Sequence, residues 1–157
     1  VAALDNGSYE LRMNKAYLVI GVVGAIVGIL SLLMPVLADE YSVEIFVVAG
    51  TMALLFLGLA IPCFMWYTNH SVTYDKHGLT SKSAYGKEQQ ICWADISRVS
   101  FNSFMGVVSI VDKQGNSAKT HQHLVGFSSL VEMLLIQKNK YHFASESLPL
   151  KILGLEK

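Results

Sequence analysis

The sequence predicts a membrane α-helical hairpin joined to a mostly β domain of the α+β kind, an antiparallel curved sheet or half-barrel capped by a C-terminal helix. Three observations predict it. Residues 16–37 and 45–70 contain no charged side chain. From Ser71 onward, short alternating apolar and polar runs are punctuated by turn residues, the period of strands. After Gly126 the apolar spacing lengthens to three and four, the period of a helix. Composition agrees: the 157 residues are 52% hydrophobic and only 15% charged, where a soluble domain carries about a quarter charged residues. Setting the two uncharged stretches aside leaves roughly 90 residues of ordinary composition, enough for one small domain.

Each uncharged stretch is long enough to span. Residues 16–37 and 45–67 at about 1.5 Å per residue exceed a hydrocarbon core of about 30 Å, and the loop 38–44 between them is short enough to make a hairpin. Arg12 and Lys15 precede the first helix, and Lys76, Lys82 and Lys87 follow the second. The loop carries only Asp39, Glu40 and Glu44. The positive-inside rule then places residues 1–15 and the C-terminal domain in the cytosol, with the acidic loop outside. Trp66 and Tyr67 suit the cytosolic interface. A rival reading takes Val36-Leu37-Ala38 as a signal-peptide cleavage site, but the apolar run is too long and its basic flank too weak. Gly21, Gly24 and Gly28 are candidate helix-packing residues, Gly24 and Gly28 forming a G-x-x-x-G. They suit either a second copy or, the favoured reading, the second helix of the same chain, where Gly50, Ala53 and Gly58 offer a matching surface. Pro62 is expected to kink or soften the second helix. Neither helix has an ionisable residue in its interior, so ion or proton transport is not expected.

The domain spans residues 70–143. Strands are expected around Val72–Tyr74 and over 79–85, 89–93, 96–101, 107–112 and 117–123. The turns between them include Asp75-Lys76-His77-Gly78, Gly86-Lys87 and Lys113-Gln114-Gly115-Asn116. Phe127, Leu130, Val131, Leu134 and Leu135 then form a helical stripe, with Ser128 or Ser129 as its cap and Lys138 and Lys140 near its C-terminus. Six strands are secure. A seventh is sought in the N-terminal segment, where Tyr9, Leu11 and Met13 alternate, or in the tail, 144–157, where Leu148, Leu150 and Ile152 do. These three tail residues are also candidate oligomer contacts through an exchanged strand.

The run VTYDKHGLTSKSAYGKEQQICWADISRVSF, with VVSIVDKQGNSAKTHQHLVGFSSLVEMLL after it, resembles a bacterial pleckstrin-homology-like (PH-like) domain. The pieces that carry the resemblance are Asp75…Gly78-Leu79, Ile91-Cys92-Trp93-Ala94-Asp95-Ile96 and the Val-Gly-Phe step before the last helix. The likeness covers about the last 85 residues except the tail. It implies about seven strands capped by a C-terminal helix, attachment to a bacterial inner membrane, and binding or assembly in place of catalysis.

No catalytic site emerges from the residues. Gly86-Lys87 fails as a phosphate loop because Ser81 stands where a glycine is needed and Glu88 follows the lysine. His121 and His123 share a strand face but have no third ligand at metal spacing; His70, His77 and His142 are scattered. Cys63 and Cys92 are poorly placed to pair. Asn6-Gly7-Ser8 and Asn69-His70-Ser71 match the glycosylation pattern on the wrong side of the membrane. Trp93 is expected in the core. A net charge of zero argues against nucleic acid as partner, although ten basic against seven acidic residues from Thr68 onward leave the domain mildly basic. The sequence thus indicates an integral membrane protein that is not an enzyme, with no cofactor and no metal. Its expected partners are the lipid bilayer and either another protein or its own copies. The alternative is an anionic-lipid-binding domain in which Lys76, Lys82 and Lys87 contact headgroups.

Overall fold

The computed structural model describes residues 2–3, 7–37 and 41–146. It divides into two compact units: the residues up to Met13 together with those from Asn69 on, and the segment Asn14–Thr68 between them.

The second unit is a helical hairpin, α1 (Lys15–Leu37) and α2 (Val43–Asn69). Asn14 starts α1: its carbonyl accepts the Tyr17 N–H at 3.0 Å and its side-chain oxygen the Ala16 N–H at 3.0 Å. Ser42 starts α2 in the same way, through the N–H groups of Phe46 and Ile45. Within the helices, the hydroxyls of Ser31, Thr51 and Thr68 donate to the carbonyls of Val27, Val47 and Phe64, so these polar groups need no water. Most large side chains, including Leu30, Leu33, Val47, Leu54 and Leu55, stand exposed, as expected of helices apolar all round. The two are long and apolar enough to cross a membrane. They meet along small residues. A Cβ at Gly28 would lie 2.7 Å from Leu57 Cγ, one at Gly24 would lie 3.2 Å from the Phe56 carbonyl oxygen, and one at Gly21 would touch the Phe64 ring at 3.4 Å. Ala49, Ala53 and Ala60 are the buried residues of α2. Gly50 and Gly58, expected to face α1, instead point into open space.

The first unit holds two sheets and a helix. One sheet runs β1 (Ala2–Ala3), β2 (Tyr9–Arg12), β3 (Ser71–Tyr74), β4 (Gly78–Lys82), β5 (Glu88–Cys92), all antiparallel neighbours; β1 is a two-residue extension on four main strands. A single 3-10 turn, Trp93–Asp95, carries the chain to β6 (Ile96–Asn102), β7 (Val107–Asp112) and β8 (Ser117–His121). The helix α3 (Phe127–Tyr141) follows, and β9 (Ala144–Glu146) closes the second sheet by pairing parallel to β6, in the order β8-β7-β6-β9. The sheets touch where Ser81 Oγ donates to the Lys119 carbonyl at 2.8 Å. Period-two alternation sends Val72 and Tyr74, Leu79 and Ser81, and Val108 and Ile110 inward. Trp93 is fully buried at the corner, where its indole N–H donates to the Asp75 carbonyl at 2.8 Å. From α3, Phe127, Leu130, Val131 and Leu134 complete the core. Burying each such side chain contributes roughly 1.5–3 kcal/mol. Gly78 opens β4 because any Cβ there would run into the Ile91 carbonyl.

Two expectations change, and one left open is decided. The single curved sheet or half-barrel is two sheets that do not close into a barrel, because the Trp93–Asp95 turn redirects the chain onto a second layer. Ser128 and Ser129 do not cap α3: Gly126 occupies that boundary at φ 86°, with no side-chain cap. The bend out of β8 needs a left-handed residue, which favours glycine over serine. Residues Tyr9–Arg12 supply a strand beside β3, with Leu11 fully buried. In the tail, Ala144–Glu146 is a strand, whereas Leu148, Leu150 and Ile152 lie outside the described residues.

Candidate functional site

The register of β2 on β3 decides where the chain leaves and rejoins the first unit. Arg12 stands opposite Ser71. The chain passes from Arg12 into α1 within three residues and returns from α2 to β3 within two. The helical hairpin is therefore inserted between two hydrogen-bonded strands, and both connections sit at one end of the sheet, here called the junction end.

Antiparallel pairing brings further segments to that end. Ser71 also faces Lys82, so the β4–β5 turn lies there, held by the Asn69 side-chain amide donating to the Ala84 carbonyl at 2.8 Å. Within the turn, the Ser83 carbonyl accepts the Gly86 N–H and the Ser83 hydroxyl the Lys87 N–H. Gly86 sits at φ 80°, and Tyr85 projects 85% exposed. Lys82 pairs with Glu88 at 3.4 Å, both partners being substantially exposed. From the other sheet, Val107 faces His121, which brings the β6–β7 loop to the same end. The loop is fixed at its base, where the Gly106 carbonyl accepts the Gln122 N–H at 2.8 Å. At its tip, Phe104 is 98% and Met105 64% exposed. Leu124 bridges to Met13, and the Val125 N–H donates to the Arg12 carbonyl at 2.9 Å, leaving the Val125 side chain half exposed.

Beneath these loops lies a histidine pair. His70 is buried, its Nδ1 2.7 Å from the Lys82 carbonyl oxygen. A carbonyl only accepts, so Nδ1 carries the proton. Burial lowers the His70 pKa, and the Lys82 carbonyl partly offsets that shift. The His121 ring stands edge-on to His70 at 5.6 Å. Burial, then the neighbouring His70 and His123, bring the His121 pKa down to about 4. Both rings are thus neutral at pH 7. His123 lies in the turn after β8. The described residues contain no group of three or more histidine, cysteine, aspartate or glutamate side chains able to hold a metal.

The opposite, distal end is polar. The Asp75 carboxylate accepts the N–H groups of Gly78 and His77, which lower its pKa. Asp112 accepts the Asn116 side-chain amide and the N–H groups of Asn116 and Gln114, and its pKa is lowered too, chiefly by that side chain. Lys113 donates to the Ala94 carbonyl. Lys76 belongs to this end, whereas Lys82 and Lys87 belong to the junction end, a strand's length of roughly 15 Å away. The three lysines therefore do not form one site. A shallow depression of about 280 Å³ lies on the flank, lined by Tyr9, Tyr74, Ser129, Glu132, Met133 and Ile136. Tyr9 and Tyr74 stack there at 5.4 Å.

Sequence reasoning missed the pairing of His70 with His121 and the placement of Tyr85, Phe104 and Met105 in loops at one end of the unit. Only the sheet register joins residues so far apart in the chain. No protein-family model matches the chain, and no curated protein matches it.

Proposed function

We propose that the chain is a membrane-anchored interaction module: the hairpin spans a bilayer and presents a PH-like β unit at its cytosolic face, where it binds a protein partner or further copies of itself. The observation that carries this reading is the insertion of α1 and α2 between β2 and β3. A β unit joined to its anchor by two short connections stays within reach of the membrane, which raises its effective concentration toward a membrane-bound partner. The depression beside Tyr9, Met133 and Ile136 supplies apolar contact area for that partner. Mass photometry of the full chain in mild detergent, with and without residues 144–157, tests self-assembly. Dimers or larger species are expected; a strict monomer in both cases contradicts that version.

A second reading, contact with anionic lipid, is favoured by the position of Lys82 and Lys87 beside the chain junctions. Native mass spectrometry of the full chain and of Lys82→Gln/Lys87→Gln counts retained anionic lipids. Fewer lipids on the variant support this reading, and equal retention contradicts it.

A further inference from the structure

We infer that the junction end is a lipid-facing surface, on which Phe104, Met105 and Tyr85 dip into the interfacial zone of the leaflet from which the hairpin departs. The inference deepens the proposed anchoring and rests on the hairpin spanning a bilayer.

Three independent observations carry it. The first is placement. Chain connection leaves only Met13 and Asn14 between β2 and α1, and only His70 between α2 and β3. Two residues reach at most roughly 7 Å. With the hairpin in a bilayer, these short connections keep Met13, Asn14 and His70 close to the bilayer surface. The second is composition. The three segments that ring the chain connections, 83–87, 102–106 and 122–126, expose Tyr85, Phe104, Met105 and Val125. The turns of the distal end, 75–78 and 112–116, expose no large apolar side chain. A phenyl ring held almost fully in water at a loop tip is costly, and the loop holds it there by design of its backbone. Met105 N–H is bonded to the Asn102 side chain at 3.1 Å, and Gly106 at φ 62° turns the chain back. The third is the interface marker on the helices. Tyr17, in the first turns of α1, and Trp66, near the end of α2, stack with ring centroids 6.4 Å apart. Paired aromatics of this kind sit at headgroup level, and they lie within a few residues of the chain connections. Arg12, Lys82 and Lys87 around the same end suit anionic headgroups.

A bilayer is the occupant that chain continuity delivers to this surface; a protein partner would have to displace lipid to reach it.

The test is depth measurement by spin labelling. The full chain carries Cys63→Ala and Cys92→Ser and a single nitroxide at position 104, 85, 114 or 30, in liposomes containing anionic lipid. Relaxation by oxygen, which concentrates in the hydrocarbon, is compared with relaxation by a water-soluble nickel chelate. The ratio of oxygen to nickel accessibility is expected to be several-fold higher at 104 and 85 than at 114 on the distal turn. A ratio at 104 equal to that at 114 overturns the inference, as does low access to both reagents at 104, which indicates cover by protein. The label at position 30 reads the hairpin separately. Lipid exposure at 30 with water exposure at 104 leaves the anchor standing and removes only the lipid-facing surface.

Discussion

The two ends of the β unit are built from the same strands, yet they solve opposite problems. At the distal end, Asp75 and Asp112 fold the turns around their carboxylates, and each turn is closed by backbone N–H groups. That is the chemistry of a surface facing water. At the junction end, the turns close on backbone carbonyls and on Ser83 and Asn102, and their tips carry Tyr85, Phe104 and Met105. A strand alternates its faces but has no preference between its ends. The lipid-facing surface inferred above accounts for that difference.

The largest effect expected in testing this comparison is at β2, the strand that ties the junction end to the rest of the unit. Leu11 is fully buried, so Leu11→Ala should cost roughly 2–5 kcal/mol in chemical denaturation of the β unit. A loss of under about 1 kcal/mol would mean that the N-terminal strand is dispensable, and with it the double connection to the hairpin.

Next come the glycines of the two ends. Gly106 has φ 62°, and a Cβ there would press on the Gln122 side chain at 2.6 Å; Gly115 has φ 88° with open space around it. Gly115→Ala should cost only the left-handed strain of about 1–2 kcal/mol. Gly106→Ala should cost more, by the displacement of Gln122. Equal melting temperatures for the two variants would deny that the junction loop is the more tightly determined.

Acid should separate the ends in sequence. His70 and His121 have folded pKa values below the ordinary 6.5, that of His121 being about 4. In that window the unfolded chain binds more protons than the folded one, so stability falls as pH drops from about 6.5 toward 4. Asp75 and Asp112 lie below the ordinary 3.8, and the stability they contribute is lost only as pH falls below that value. Hydrogen exchange should show the end of β8 loosening first and the 112–116 turn later. His121→Gln should remove most of the earlier phase; an unchanged profile would assign it elsewhere. The smallest effect is reserved for the surface: Lys82→Gln breaks an exposed pair with Glu88 and should change stability by less than about 1 kcal/mol.

Much of the fold was legible because it is written in local periodicity. The uncharged runs mark α1 and α2, alternation marks the strands after Ser71, and the stripe from Phe127 marks α3. What could not be read is what depends on distant pairing. The partner of Tyr9–Arg12 lies beyond the whole hairpin, so no window of sequence contains both. The strands on either side of Trp93–Asp95 are visible in the alternation, but nothing local says that the chain there changes sheets. The same limit hid the site. Lys76, Lys82 and Lys87 look equivalent in sequence, and only the register of β3 on β4 sends the first to the opposite end. Nothing in the sequence sets Phe104 apart from the other apolar residues, and only the structure shows it standing in the open.

The most direct test of the account is the sidedness of the hairpin. In intact cells, with Cys63 and Cys92 replaced, a membrane-impermeant maleimide should label Tyr41→Cys in the loop between α1 and α2. It should label Gln114→Cys, on the distal turn of the β unit, only after lysis. Labelling of both positions from outside, or of neither before lysis, would contradict a spanning hairpin that presents its β unit to the cytosol.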